Sequence, residues 1–447
     1  MLGSLRETVG RHRNRLCWHY SLAAPWLCAN QGRKPTLLVM SALLTIGTIL
    51  EASAVTSFWQ LVVGRIVVYS GIGVASNVVP MYQSECAPTK VRGAFLTAYS
   101  IWNTFGSFLA TLVVFLCQNI QIILCQLLVP VGIVLRYLFL PETPRYLVYR
   151  GRLQEAEASM KVLFGPEYNT SEEIQLLQLQ LEEQLEFHKA TSIWDCFRSV
   201  NLRRTVIAMG TQILQQAQGI SFISNFIVTF MKQLGFPDPL KSNVIVQACG
   251  PVANLISMYT FDKLGRRINM LVDALLMAAM MMGVGGASAY GTDSLNAITQ
   301  NGCVAMLILW YVFYGLSWGP GVWILSGEVG TGQLRERTLL LASLGSFVTS
   351  VPINFVNPYV QAAIGSRVTF IYGSFSVAEM AFVYFLLPET KGRSLEELDE
   401  MFQNRVPTRE FSTYVCTGLG AQITQLENKD DHGEMKVKQV EHVETAF

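Results

Sequence analysis

An all-α membrane protein of two related halves is the fold class this sequence predicts, and three observations predict it. Of 447 residues, 51% are apolar and only 15% are charged, against roughly 25% charged in an average soluble domain. The apolar residues gather into runs of bilayer-spanning length, which takes roughly 20 residues per helix. A set of charged motifs between those runs then recurs, in the same order, in the second half of the chain.

Ten spans are expected, at about 36–55, 58–80, 94–117, 119–140, 206–231, 243–261, 269–290, 302–326, 338–361 and 369–387. Only Gln118 and Asn119 separate the third from the fourth, so the fourth has soft boundaries. Basic residues collect on the cytoplasmic side of short loops. Arg33, Lys34, Lys90, Arg92, Lys263, Arg266, Arg267, Arg335, Arg337, Lys391 and Arg393 all fall on one side, against Lys232, Lys241 and Arg367 on the other. The first side is therefore cytoplasmic, and with an even number of spans both termini lie there.

Residues 141–205 form the one long internal loop. Glu172, Glu173, Leu176, Leu177, Leu181, Glu182 and Glu183 give it an amphipathic helical pattern. Residues 388–447 are read as a cytoplasmic tail, polar and mixed in charge from about residue 403. The net charge of +1 offers no bulk field for nucleic acid. Nine cysteines lie scattered with no Cys-x-x-Cys pair, so packing is their expected role and no metal site is suggested. Neither a nucleophile–base pair nor a phosphate loop points to an enzyme or to a cofactor.

The repeat is specific. Gly32-Arg33-Lys34 answers Gly265-Arg266-Arg267, Glu85 with Arg92 answers Glu328 with Arg335, and Pro141-Glu142-Thr143 answers Pro388-Glu389-Thr390, at offsets of 233, 243 and 247. Paired helical halves with a site between them at the bilayer midplane are a transporter architecture. The repeat divides the chain into an irregular basic segment 1–31, an incomplete first half 32–140, a cytoplasmic linker 141–205, a six-helix second half 206–387 and the tail. Two spans precede the Gly-Arg-Arg turn of the second half. None is expected before Gly32, so the first half is expected to hold four spans.

The motifs also carry a resemblance. Gly64-Arg65 with Gly71-Ile72-Gly73; Pro80-Met81-Tyr82 with Glu85, Pro88 and Arg92-Gly93; Pro141-Glu142-Thr143-Pro144-Arg145; Gln215-Gln216 with Gly219-Ile220; Asp262 with Gly265-Arg266-Arg267; Gly319-Pro320 with Trp323 and Glu328; and Pro388-Glu389-Thr390-Lys391-Gly392 stand in this order. Over about four-fifths of its length the chain resembles the sugar porters of the major facilitator superfamily. Some segments are most similar to fungal α-glucoside permeases. The resemblance implies the major facilitator fold and a monosaccharide or α-glucoside carrier that works as a monomer, with or without proton symport, in the plasma membrane. The competing reading is a relative that does not transport.

Two sets of residues follow. A sugar offers hydroxyls and weakly apolar ring faces, so its site needs amides and an aromatic surface. Gln212, Gln215, Gln216 and Asn225 supply amides in the fifth span and Trp323 an aromatic ring in the eighth. By resemblance, Gln215, Gln216 and Trp323 contact sugar; the bland alternative is hydrogen bonding between helices and a ring at the membrane interface. The chain departs from the family pattern at Ser100, Ser221, Asn225, Phe226, Ser346 and Phe347, which makes the site poorer in amides.

The second set is Glu85, Arg92, Asp262, Arg266, Arg267, Glu328 and Arg335, at helix ends near the inner surface. The resemblance implies an ion-pair gate linking the halves; the alternative is anchoring of helix ends alone. Arg65 lies within a span, where an unpaired charge costs about 2.5 kcal/mol or more, and Glu85 is its expected partner. Of the acids within spans, Glu51 and Asp273 are expected to reach water. Glu379 is mid-span and is the remaining candidate for protonation, or else a neutral acid bonded within the bundle.

Overall fold

The computed structural model describes residues 31–54, 57–86, 92–117, 126–137, 139–165, 170, 174–175, 177–178, 192–233, 235, 238–289, 297–330, 334–393 and 395–416. Every regular element among them is helical. The first half contains α1 (Arg33–Ser53), α2 (Phe58–Cys86), α3 (Arg92–Leu116) and α4 (Leu128–Tyr137). Two linker helices follow, α5 (Pro144–Tyr149) and α6 (Leu153–Phe164), then a 3-10 turn at Ile193–Phe197.

The second half opens with a span in two pieces, α7 (Ser199–Gln215) and α8 (Ser221–Gln233), joined by a π turn at Gln216–Ile220. It continues through α9 (Pro239–Leu264) and α10 (Arg266–Ala289). A second divided span follows, α11 (Ala297–Phe313) and α12 (Gly319–Val329), joined by a π turn at Tyr314–Trp318. The bundle closes with α13 (Arg335–Ile364) and α14 (Val368–Leu386), and α15 (Leu395–Gln403) lies beyond it.

The helices fall on all ten expected spans, though α4 is only 10 residues long against the expected 119–140. Most of the amphipathic stretch of the linker, and the basic segment before residue 31, lie outside the described residues. So does the question of what precedes Gly32 in the bundle.

Side chains divide as a membrane bundle requires. Ile46, Ile49, Leu128, Leu135, Val252, Leu255 and Ile256 are exposed apolar residues on spans, which is the arrangement for helices that meet lipid rather than water. Within the first half, α1 packs along α2 through Leu37, Met40, Val74 and Val78. The larger core is in the second half, where α10 packs along α14, α7 along α13 and α10 along α11. The halves meet where α3 lies against α9.

The first part of the tail packs back on the bundle: Val406, Phe411 and Cys416 are buried in the same core as Leu398, Met401 and Phe402 of α15. Two arginines at the base of α7 hold them. Arg203 donates to the Val406 carbonyl at 2.7 Å and to Thr408 Oγ1 at 2.9 Å, and stacks over Phe402 and Phe411. Arg204 pairs with Asp399 at 2.7 Å over the Phe402 ring. A guanidinium tolerates this because its planar face packs on rings while its edge bonds carbonyls.

Candidate functional site

The first element of the site is a pair of broken helices. In a π turn one extra residue bulges the helix and leaves carbonyls without their usual donors. At Gln216–Ile220 the break comes from Gly219, which has φ 111°, a conformation that side-chain-bearing residues avoid. Gly219 also lets the Tyr372 ring approach, since an added Cβ would meet it at 2.9 Å. At Tyr314–Trp318 the break precedes Gly319-Pro320. Pro320 has no amide hydrogen, so it cannot serve the carbonyl four residues back.

Gln215 joins the two breaks. Its amide Nε2 donates to the Trp318 carbonyl at 2.7 Å and lies 3.4 Å from that of Gly319. One turn earlier, Gln212 is fully buried and neither amide atom has a hydrogen-bond partner among the described residues. Gln216 is half-buried and accepts from Ser221 Oγ at 3.3 Å. Asn225 is exposed and donates to Asn354 Oδ1 and to the Ser221 carbonyl, both at 3.1 Å. The four predicted amides thus lie along one divided span in very different settings.

The aromatic prediction divides. Trp323 is on α12 with half its surface exposed, beside the buried Val322, Leu325 and Ser326. Trp318, five residues earlier, is fully buried and donates its indole N–H to the Met270 carbonyl at 3.1 Å. Behind it, Tyr314 stacks on Trp310 with centroids 5.7 Å apart. Tyr372 stacks on Phe222 at 5.2 Å, and its hydroxyl donates to Asn357 Oδ1 at 2.9 Å. These rings form a wall for the breaks.

Sequence reasoning missed Asn254. It sits on α9 where the halves meet, and its amide donates to Thr104 Oγ1 of α3 at 3.1 Å. Its buried carbonyl oxygen has no partner among the described residues and lies 3.8 Å from where a side chain on Gly315 or Gly319 would begin. One side chain therefore bonds the opposite half and lies close beside the second break. The available signal was an amide three residues after Pro251 within a mostly apolar run, since polar groups within a bilayer seek a partner helix.

At the charged ends of the helices the repeat becomes geometry. Gly32 (φ 104°) and Gly265 (φ 92°) start α1 and α10. The carboxylate of Glu142 accepts from the backbone amides of Arg33 (3.0 Å) and Lys34 (3.1 Å). That of Glu389 accepts in the same way from Arg266 (2.9 Å) and Arg267 (3.1 Å). A helix N-terminus has free amides and the positive end of its dipole, so a carboxylate there caps it. Side chains at Gly32 or Gly265 would collide with these carboxylates, at 2.5 and 2.6 Å.

The ion pairs repeat too. Arg33 pairs with Glu85 at 2.7 Å, and Arg266 with Glu328 at 2.9 Å. Thr390 Oγ1 donates to the other oxygen of Glu328 at 2.6 Å, and Arg267 donates to the Tyr384 carbonyl at 2.8 Å. Each pair joins helices of one half: α1 to α2, and α10 to α12. Among the described residues the predicted charges therefore pair within a half, motif by motif. Arg92, Asp262 and Arg335 stand at the matching helix ends, and their side chains lie outside the described residues.

Arg65 corrects an expectation. Its partner is Glu51, at 3.2 Å, not Glu85. Glu85 follows Arg65 by twenty residues on one helix, which at 1.5 Å per residue is about 30 Å. The α1–α2 hairpin instead brings Glu51 beside Gly64, whose missing side chain allows contact. Glu51 and Asp273 were expected to reach water, yet both are buried, at 2% and 5% exposure. Bundle packing, which a linear reading of distance from the span end ignores, removes them from solvent. Glu379 is fully buried.

Similarities to known proteins agree with this geometry. Residues 20–402 match the family model described as Sugar (and other) transporter. The major facilitator-type transporter ecdD of Aspergillus rugulosus is 30% identical over 414 residues, 87% of this chain and 76% of that protein. The probable glucose transporter rco-3 of Neurospora crassa is 30% identical over 406 residues, 86% of this chain and 68% of that one. Among solved structures, the inward-open xylose transporter XylE of E. coli superposes with a TM-score of 0.75 over 89% of each chain, at 21% identity.

Proposed function

This chain belongs to the sugar (and other) transporter family of the major facilitator superfamily, and from that premise we propose that it carries a monosaccharide or α-glucoside into the cell by alternating access. The observation that supports this most is the Gln215 bond between the two broken spans. Broken helices at midplane depth expose backbone groups that a polar substrate can bond, and they let half a span move without its partner.

Gln212, Gln215, Gln216 and Asn225 are the proposed hydroxyl-binding amides, and the half-exposed Trp323 the proposed ring-stacking surface. Asn254 reports the approach of the first half. The paired capping carboxylates and intra-half ion pairs keep each half rigid at its inner end while the two rock. Because each pair lies within one half, it holds in both open states and does not bias the balance between them. The plasma membrane, cytoplasmic termini, action as a monomer and proton symport complete the proposal. Both partner classes follow from it: a small sugar, and the lipid bilayer.

Uptake of radiolabelled glucose, xylose and maltose in a yeast lacking its own carriers tests this. Saturable entry of at least one sugar is expected, reduced at least tenfold by Gln215→Ala, about the 1.4 kcal/mol of one lost hydrogen bond. Surface expression without uptake of any sugar would sink the carrier reading and favour the non-transporting one.

A further inference from the structure

Glu379 is fully buried on α14, and both of its carboxyl oxygens have no hydrogen-bond partner among the described residues. No cation among the described residues pairs with it. The stretches 205–231, 268–289, 297–329, 338–364 and 368–386, which make up the helices around it, contain no Lys, Arg or His. A buried carboxyl group with neither oxygen bonded is a polar site left open within the bundle, and an acid so placed within a span marks a functional position.

Its neighbours are chemically suited to a proton there. Gly219 faces Tyr372 and Gly210 faces Phe382, so the antiparallel register of α7 and α14 brings Glu379 level with Gln212. That amide is likewise buried with both atoms unpartnered. On the other side, Gly373 faces Met282 and Gly285 faces Phe370, which brings Glu379 level with Leu276 of α10, with Asp273 one turn below. The titratable groups on the neighbouring elements are Asp273 of α10, one turn from the level of Glu379, and Tyr314 of the second break; α7 offers only Gln212 at this level.

We propose that Glu379 is a proton-binding site of the second half, gaining and losing one proton per transport cycle, with Gln212 as the partner its acid form bonds when α7 approaches α14. This rests on the carrier reading above. The carboxyl O–H forms with a proton from external water and breaks by release to internal water, with no redox change. Coupling to sugar runs along α7, because Gln215, which holds the second break, is one turn from Gln212.

The test uses the full chain in proteoliposomes with an imposed pH gradient, reading gradient-driven accumulation and sugar exchange at equal pH. With one proton per sugar, one pH unit supports at most about tenfold accumulation. Glu379→Gln, which fixes a neutral side chain, is expected to abolish accumulation while exchange stays within about twofold. Glu379→Asp, should the amide variant fail to insert, is expected to retain accumulation with a displaced pH profile. Accumulation by Glu379→Gln equal to the unmodified chain, or an unchanged profile for Glu379→Asp, overturns the proposal. Exchange without any accumulation by the unmodified chain overturns it too and leaves the carrier reading standing; absence of both removes the carrier reading itself.

Discussion

Removing the Glu389 carboxylate should destabilise the second half far more than its place on the surface suggests. Glu389 receives the amides of Arg266 and Arg267 at 2.9 and 3.1 Å, both in partly buried settings. A hydrogen bond to a charged group contributes about 1.5–3 kcal/mol, and a buried amide left without an acceptor costs its desolvation instead. Two such bonds amount to about 3–6 kcal/mol. Water reaches these helix ends in Glu389→Ala and recovers part of this, which leaves about 3 kcal/mol. For a unit of this size each kcal/mol moves the midpoint by roughly 2–4 °C, so the melting temperature should fall by about 6–12 °C. The assay is thermal unfolding of detergent-purified protein, followed by loss of the monodisperse peak on size exclusion. Glu142→Ala breaks the equivalent bonds in the first half and should give a fall of similar size. A midpoint for Glu389→Ala within about 2 °C of the unmodified chain would refute the view that this carboxylate caps α10.

Three further outcomes follow from the same geometry. Trp318 is fully buried and Trp323 half exposed, so Trp318→Ala should cost about 3–5 kcal/mol of stability, whereas Trp323→Ala should leave the midpoint unchanged and raise the KM for uptake. Asn254→Val removes the bond to Thr104 and should shift the balance of open states, read as a changed ratio of inward to outward labelling by a cysteine reporter. Cys416 is buried under the Glu397 carbonyl, and burial pushes its thiol up. A raised thiol holds less thiolate at pH 8 than a free cysteine, so maleimide should label it slowly. Arg204→Ala, which undocks α15 by removing the Asp399 pair, should accelerate that labelling by an order of magnitude or more.

The sequence by itself determined the all-helical class, where the helices of the described residues fall, and the identity of the capping motifs that recur. Length and apolarity suffice for spans because a bilayer leaves the backbone no other solvent, and the recurrence of Gly32 and Gly265 with Glu142 and Glu389 is a local pattern readable in one dimension. The amides of the candidate site were legible as residue types but not as settings. Whether Gln212 is unpartnered, Gln215 bonded across to Trp318, or Asn225 exposed depends on where two broken helices meet. Only the tertiary structure decided the partners: Glu51 for Arg65, Arg33 for Glu85, Thr104 for Asn254. It also decided that residues 404–416 pack into the core. Charges and amides are promiscuous bonding groups, so their partners are set by helix register and by close approach at glycines such as Gly64, and these are properties of packing rather than of order along the chain.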